Sequence, residues 1–303
     1  MEEIRVNSSK AWMLAARPKT LTGAAVPVMM ALSLAWVDCH VTGIAFRWIP
    51  ALLCFLFAFL MQIDANFIND YFDFMKGTDD ESRLGPRRAC AQGWVTTSAM
   101  RCAMVVTTLA ACVVGLPLII YGGITMVLVG LVCVVFCFLY TTHLSYLGLG
   151  DVLVLVFFGI VPVCCTYYLQ TNTLTKEVLV SSIACGLVID TLLIVNNYRD
   201  RDTDRVKGKH TLVIMIGDKA TELLFFMLGL LAIFLGLLFF YTGRYLTFFL
   251  PLFYLMLHVR TYQKMKRIRH GKALNLILGE NARNMFIYGI VFSIGVLLDY
   301  YLF

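Results

Sequence analysis

Charged residues are scarce in this chain: Asp, Glu, Lys and Arg together make up 15% of its 303 residues. Histidine is also rare, and the five histidines show no spacing typical of metal ligands, which gives no support to a histidine metal site. No low-complexity tract or soluble domain is recognisable. Apolar residues instead make up 60% of the chain and the mean hydropathy is +0.79, so the composition excludes an ordinary soluble protein and predicts a polytopic membrane protein.

Apolar runs recur along the sequence with the length that a helix needs to cross a bilayer, roughly 17–25 residues. We expect an all-α fold of about nine transmembrane helices, in one integral-membrane domain over residues 1–303. The expected helices lie near 18–37, 48–66, 102–120, 122–142, 151–169, 178–197, 222–241, 245–262 and 284–303.

The distribution of Lys and Arg predicts the orientation. With the N-terminus in the cytoplasm, 22 of the 25 basic residues fall on the cytoplasmic side, which leaves Arg47, Lys176 and Arg244 outside. Such an asymmetry is typical of proteins of the cell (inner) membrane, with positive loops inside. Since topology accounts for the net charge of +6, we expect no nucleic-acid partner.

Two polar clusters interrupt this apolar pattern. The first, NFINDYFDFMKGTDD (66–80), follows the second apolar run, and the second, NNYRDRDTDRVKGKHTL (196–212), follows the sixth. Both contain an Asn-x-Tyr-x-Asp pattern and continue to a Lys-Gly pair, which makes a weak internal repeat. Both are expected on the cytoplasmic face, as two halves of one site would be.

The spacing within each cluster is helical. Asn66, Asp70 and Asp73 follow one another at steps of four and three, so they are expected on one helix face. Asn196, Asp200 and Asp204 follow at steps of four. Converging carboxylate and amide oxygens with basic residues nearby suit Mg²⁺, which typically takes one or two carboxylates while phosphate and water complete its coordination.

The two clusters resemble the aspartate-rich motifs of the UbiA superfamily of intramembrane prenyltransferases. The first is followed by RLGPRRACAQG (83–93), which resembles the tail of the first motif. The stretches AARPKTL (15–21), LGLGDVLVLVFFG (147–159) and GKALNLILGENARN (271–284) are most similar to the branch that prenylates 1,4-dihydroxy-2-naphthoate in menaquinone synthesis. The resemblance covers nearly the whole chain.

The resemblance implies a helical bundle around a central cavity that opens to the cytoplasmic loops and laterally to membrane lipid. The implied reaction joins polyprenyl diphosphate to 1,4-dihydroxy-2-naphthoate, with loss of CO₂ and diphosphate, giving demethylmenaquinone. Mg²⁺ held by Asp70, Asp73, Asp200 and Asp204 would then stabilise the leaving diphosphate.

Further residues have candidate roles around the substrates. Asn66, Asn69 and Asn197 are expected to complete the oxygen shell or bind phosphate. The candidate phosphate partners are Lys76, Arg83, Arg88, Arg199, Lys207 and Lys209. The aromatic groups expected to shield the allylic cation from water are Tyr71, Tyr140, Tyr146 and Tyr198.

The sequence leaves several alternatives open. A related enzyme acting on 4-hydroxybenzoate or homogentisate would share both motifs, and an ion-coupled transporter can also carry matched intramembrane acids. The clustering of acids on one face favours the enzyme. Gly77 stands where many superfamily members carry an acid, so Asp79 or Asp80 could take that role. The deeper Asp64 and Asp190 are left without an assigned function.

Overall fold

The computed structural model describes residues 4–78 and 83–302, and within these ranges every regular element is helical. The α-helices of the first half are α1 (Ser9–Ala16), α2 (Leu21–Thr42), α3 (Trp48–Met75), α4 (Thr97–Gly115), α5 (Ile119–Gly122), α6 (Thr125–Thr142), α7 (Gly150–Val154) and α8 (Val161–Thr171). Those of the second half are α9 (Lys176–Val206), α10 (Leu212–Ile216), α11 (Asp218–Leu235), α12 (Leu237–Tyr241), α13 (Tyr245–Phe249), α14 (Leu252–Ile268) and α15 (Leu274–Leu302).

Eight segments of the described chain are helical, long and apolar enough to cross a membrane. They are Ser9–Thr42, Trp48–Met75, Thr97–Gly122, Thr125–Thr142, Gly150–Thr171, Lys176–Val206, Asp218–Tyr241 and Leu274–Leu302. The all-α membrane fold expected from the sequence is therefore confirmed, with a count close to the nine expected.

The remaining expected crossing corresponds to α13 and α14. This segment is interrupted at Leu250 and Pro251, and the second half of α14 carries five Lys or Arg residues after Val259. Proline lacks the N–H that would continue the hydrogen bonding of α13. The break and the basic end explain why this segment is shorter and more polar than its neighbours, although it packs between α11 and α15.

Helix α9 lies at the centre of the bundle, where it packs against α2, α8, α11 and α15. The core around it includes Met30, Val188, Phe225 and Phe292, each almost fully buried. Helices α3 and α9 have 28 and 31 residues, more than the roughly 20 residues that cross the hydrocarbon. Their polar ends therefore extend past the apolar layer, and these ends carry the two motifs.

Close helix packing beside α9 depends on a pair of glycines. Residues Leu155–Ile160 form a π-helical segment between α7 and α8, and Gly159 in this segment faces Gly186 of α9. A Cβ added to Gly159 would lie 2.5 Å from the Ser182 carbonyl oxygen and 2.7 Å from the Gly186 Cα. Small residues at such crossings allow backbones to approach.

We expect Gly159→Ala to destabilise the protein by about 1–3 kcal/mol, because the added methyl group meets backbone atoms that cannot move independently. The measurement is thermal unfolding in detergent. Gly130→Ala in α6 is the matched control, since a Cβ there has no neighbour within 4 Å and alanine favours the helix. Equal melting temperatures for the two variants would contradict the packing argument.

Candidate active site

The two motifs meet at a polar cavity of about 130 Å³ beside the ends of α3 and α9. Its lining combines acids, amides and bases from both motifs with the segment that precedes α7. The lining residues used below are Asn69, Asp73, Arg83, Arg88, Tyr140, Asp151, Asn196, Asn197, Asp200, Asp204, Lys207 and Lys209. Twelve polar groups on one small cavity can recognise a ligand of high charge, and phosphate is such a ligand.

The first motif presents Asn69 and Asp73 to this cavity. These residues are four apart on α3 and therefore share a helix face. Asn69 Oδ1 accepts a hydrogen bond from Thr141 Oγ1 at 2.6 Å, and Asp73 Oδ2 lies 3.4 Å from Arg88 Nη2. The guanidinium group thus balances the charge of Asp73 from the loop that follows the motif.

Asn66 and Asp70, unlike Asp73, do not line the polar cavity. The Asp70 carboxylate accepts hydrogen bonds from the backbone N–H groups of Ala89 and Cys90, both at 2.9 Å, and is fully buried. Asn66 donates to the Ala16 carbonyl at 2.9 Å. The three residues thus have different partners: Asp73 faces the cavity, whereas Asn66 and Asp70 hold the chain segments that border the site.

The second motif keeps its predicted face. Asn196, Asp200 and Asp204 all line the polar cavity, as does Asn197. Asp204 lies 3.3 Å from Lys209 Nζ. The regular step of four residues along α9 places these oxygen atoms along one side of the cavity, opposite the oxygens of α3.

Arg199 connects the second motif to two other parts of the chain. Its side chain is 1% exposed and binds both carboxylate oxygens of Asp200, at 2.8 and 2.5 Å. It also donates to Asn196 Oδ1 at 2.8 Å and to Asn275 Oδ1 at 2.9 Å. Asn275 in turn donates to the Leu84 carbonyl at 2.8 Å. Arg199 does not line the cavity itself, but it orients Asn196 and Asp200, which do.

The lysines at the cavity differ in their surroundings. Lys207 Nζ donates to the Thr78 carbonyl at 2.5 Å, which joins the two motif loops. Burial lowers the pKa of Lys209, but the nearby carboxylates of Asp204 and Asp73 raise it by more, so this ammonium group stays charged. Lys76 lies outside the lining, donates to the Thr142 carbonyl at 2.7 Å, and has its pKa lowered mainly by burial.

The four candidate tyrosines occupy different environments. Tyr140 lines the cavity, and Tyr146 lies between two ammonium groups, with Lys76 4.2 Å and Lys209 5.3 Å from its ring centroid. Tyr198 is fully buried and donates to Glu222 at 2.9 Å, whereas Tyr71 packs beside Phe72. Of these four tyrosines, only Tyr140 is among the described residues that line the polar cavity.

A second, larger cavity of about 1560 Å³ adjoins the polar one. Asn69, Tyr140, Leu193 and Asn196 line both cavities and mark their junction. The rest of the large cavity is mainly apolar, and its walls include the outward-facing helices α4 to α6. A charged group in the small cavity could thus continue into a long apolar chain in the large one.

Several acids remain to be placed. Asp64 accepts a hydrogen bond from Thr108 Oγ1 at 2.6 Å, which joins α3 to α4 away from the cavity. Asp190 is buried in α9 near Asp151. Asp79 and Asp80 lie outside the described residues. Asp151 and Asn275 are site residues that the motif reasoning missed, although each lies in a stretch that carried the family resemblance.

The donor set fits Mg²⁺ in its chemistry. The acidic and amide groups of the cavity offer only oxygen, the ligand that hard cations prefer. No group of three or more His, Cys, Asp or Glu converges closely enough in the described residues to hold an ion alone. Because Mg²⁺ usually takes one or two carboxylates and completes its shell with phosphate and water, Asp73 on one side and Asp200 and Asp204 on the other suffice.

A helical membrane bundle whose acidic polar cavity opens into a long apolar cavity defines a class: intramembrane proteins that bind an amphipathic phosphate ester. Residues 24–295 match the model of the UbiA prenyltransferase family, and the chain belongs to this family.

Known relatives agree with the family match. The 1,4-dihydroxy-2-naphthoate octaprenyltransferase of Escherichia coli (strain K12) is 36% identical over 227 residues, which cover 72% of each chain. The protein of the same name from Haemophilus influenzae is 34% identical and covers 69% of this chain and 70% of its own. A UbiA homolog from Archaeoglobus fulgidus, bound to DMAPP and Mg²⁺, has the same fold, with a TM-score of 0.65, 12% identity, and coverage of 93% and 99%.

The hydrogen bonds from the Ala89 and Cys90 amides predict that Asp70 anchors the loop formed by residues 86–95. We expect Asp70→Ala to raise hydrogen exchange at the Ala89 and Cys90 amides by about tenfold or more, since each N–H loses its buried acceptor. Asp73→Ala is the matched control and should leave these two amides protected. Similar exchange in both variants would mean that Asp70 does not anchor the loop.

Proposed function

We propose that this protein, acting as a single integral-membrane domain, transfers a polyprenyl group from polyprenyl diphosphate to 1,4-dihydroxy-2-naphthoate. CO₂ and diphosphate leave, and demethylmenaquinone is the product after oxidation of the prenylated ring. The family membership and the names of the relatives support this reaction over an ion-coupled carrier. Enzymes for 4-hydroxybenzoate or homogentisate remain the alternatives within the family.

One observation carries the proposal: the acidic cavity and the large apolar cavity share a junction formed by Asn69, Tyr140, Leu193 and Asn196. A polyprenyl diphosphate has the same two parts, a charged head and a long hydrocarbon chain. With its diphosphate between α3 and α9, its first allylic carbon would lie at the junction. This is the place where the aromatic acceptor must approach.

The residues of the chain then have separable roles. Arg83, Arg88, Lys207 and Lys209 line the polar cavity, where they can bind diphosphate oxygens. The amides of Asn69, Asn196 and Asn197 can donate to the same oxygens. Tyr140 covers the junction, and the apolar wall keeps water from the allylic cation.

Asp73, Asp200 and Asp204 would hold Mg²⁺ against the diphosphate. When bound, the ion would neutralise the negative charge of the leaving diphosphate. Each of these carboxylates is paired with a cation in the structure, namely Arg88, Arg199 and Lys209. Asp70 would support the site through the loop at 86–95, and Asn66 through the segment that precedes α2.

We further propose that the site faces the cytoplasm and that the protein lies in the cell membrane. The basic residues Arg83, Arg88, Lys207 and Lys209 all lie at the same end of the bundle as the N-terminal segment. Arg47, Lys176 and Arg244 lie at the connections of the opposite end, as the positive-inside rule requires.

Purified protein in detergent, given Mg²⁺, farnesyl diphosphate and 1,4-dihydroxy-2-naphthoate, should form the prenylated naphthoquinone and release diphosphate. We expect Asp73→Asn and Asp204→Asn to lower kcat/KM by about 10²–10³-fold, because charge stabilisation of the leaving group is lost. Chromatography of the product and a diphosphate assay measure both quantities.

Asp202→Asn is the matched control for these variants. Its side chain is 62% exposed and pairs with His270 outside the cavity, so activity should stay within about twofold. Release of diphosphate only with 4-hydroxybenzoate or homogentisate would reject the acceptor and keep the family chemistry. A folded sample inactive with all three acids would reject the proposal.

The orientation has its own test. With the N-terminus inside and α13 and α14 together crossing once, the chain crosses nine times and its C-terminus lies outside. Alkaline phosphatase, which is active only outside the cytoplasm, should be active when fused to the C-terminus and inactive when inserted at Gly271. The reverse pattern would overturn the proposed topology, and a third fusion at Gly243, between α12 and α13, shows which part fails. With the reverse pattern, an active fusion there would reject the crossing by α13 and α14, and an inactive one would reject the orientation.

A further inference from the structure

Asp151 lines the polar cavity, yet the roles assigned above make no use of it. It lies in the first turn of α7 and shares the cavity lining with residues of the junction and of the second motif. Its Oδ1 atom is shielded from solvent and accepts no hydrogen bond from any described residue. Buried carboxylate oxygens without a donor are rare, since the loss of hydration costs free energy. A ligand that brings a donor would remove this cost.

Asp151 is placed beside the junction by the residue before it. A Cβ added to Gly150 would lie 3.3 Å from Leu193 and 3.8 Å from the Tyr140 ring, and both of these residues line the two cavities. Gly150 therefore packs directly against the junction. Asp151 follows Gly150 in the chain and lines the polar cavity, and we therefore place it near the expected position of the allylic carbon.

The turn before α7 is fixed by the second motif. Gly148 has φ +75°, and a Cβ at this position would lie 2.7 Å from the His210 carbonyl oxygen. The His210 N–H donates to the Tyr146 carbonyl at 3.1 Å. Because this turn is docked on the loop after α9, the same loop that supplies Lys209 also sets the position of Asp151.

The surroundings select the kind of ligand group. Asp151 forms no ion pair with any described Lys or Arg, in contrast to Asp73, Asp200 and Asp204. Asp190 lies near enough to interact with Asp151 electrostatically, which disfavours a second anion there. A phosphate oxygen or the carboxylate of the acceptor would be repelled. A hydroxyl group is neutral and supplies the missing donor.

We infer that Asp151 is a catalytic residue that binds and activates the aromatic acceptor, its carboxylate accepting a hydrogen bond and then the proton from a ring hydroxyl. This inference rests on the proposed function. It assigns to α7 the acceptor side of the reaction, whereas α3 and α9 serve the diphosphate side. An electron-rich ring is what an allylic cation needs, and a bound carboxylate increases the electron density of a phenol.

The step balances as follows. The ring carbon that bears the carboxylate forms a bond to the first prenyl carbon, and the bond from that prenyl carbon to the diphosphate oxygen breaks with its electron pair on oxygen. The hydroxyl proton passes to Asp151 while the oxygen becomes a carbonyl. When CO₂ leaves, its bonding pair restores the aromatic ring, and the carbonyl oxygen takes the proton back from Asp151. Nothing is oxidised or reduced in these steps.

The test compares wild type with Asp151→Asn on 1,4-dihydroxy-2-naphthoate and its two monomethyl ethers, with farnesyl diphosphate and Mg²⁺. We expect the variant to lower kcat/KM for the acceptor by about 10²-fold or more, because asparagine cannot take the proton. Wild type should reject at least one ether strongly, and the variant should lose that discrimination. Binding of inorganic diphosphate with Mg²⁺ should change by less than about threefold in the variant. If Asp151 were instead a ligand of the metal, the substitution would weaken this binding more strongly.

The melting temperature in detergent shows whether the asparagine variant folds. If it folds poorly, Asp151→Glu provides a second test. The glutamate variant keeps a carboxylate and should recover part of the activity. Loss of diphosphate binding in Asp151→Asn, or activity within threefold of wild type, would overturn the inference. If wild type uses another aromatic acid only, the proposed acceptor fails, and the same comparison on that acid still decides the role of Asp151.

Discussion

The balance of charge at the edge of the membrane is the constraint on which the site depends. Carboxylates are costly near hydrocarbon, and a diphosphate placed among them is costlier still, unless cations lie close by. Three of the four carboxylates that line the polar cavity each have one: Arg88 for Asp73, Arg199 for Asp200, and Lys209 for Asp204. Two of these cations, Arg88 and Lys209, line the cavity, where they could bind phosphate oxygens if the carboxylates held Mg²⁺.

The same constraint explains why the polar cavity is small and the apolar one is large. The polar groups that α3 and α9 present to the polar cavity lie at the ends of these helices, whereas the lining of the large cavity is mainly apolar. An amphipathic substrate can then bind with each part in a matching solvent. Tyr140 and Leu193 lie at the junction of the two environments.

The sequence predicted the helices better than it predicted the directions of their side chains. Apolar length alone located the crossings, and it failed only where Pro251 and the basic end of α14 shorten one of them. Helical spacing predicted Asp200 and Asp204 correctly as neighbours on the cavity, but it could not decide which residue near Asp73 would line the cavity, Asn69, and which would bind the following loop, Asp70. That choice depends on which neighbour, loop or cavity, each side of α3 meets. Asp151 was missed because a single acid in an apolar run has no spacing to analyse.

The loop after the first motif is where the separate parts become one site. Asp70 holds its Ala89 and Cys90 amides, Arg88 returns to Asp73, and Leu84 accepts from Asn275. At Gly85 an added Cβ would lie 2.7 Å from an Arg199 nitrogen, so only glycine lets the loop backbone approach that guanidinium group. Arg199 is thus enclosed by α9, the loop and α15, and its geometry towards Asp200 is set by all three. The Gly-Pro-x-Arg tail of the first motif therefore serves both motifs. Its glycine, Gly85, leaves room for Arg199 of the second motif, and its arginine, Arg88, pairs with Asp73 of the first.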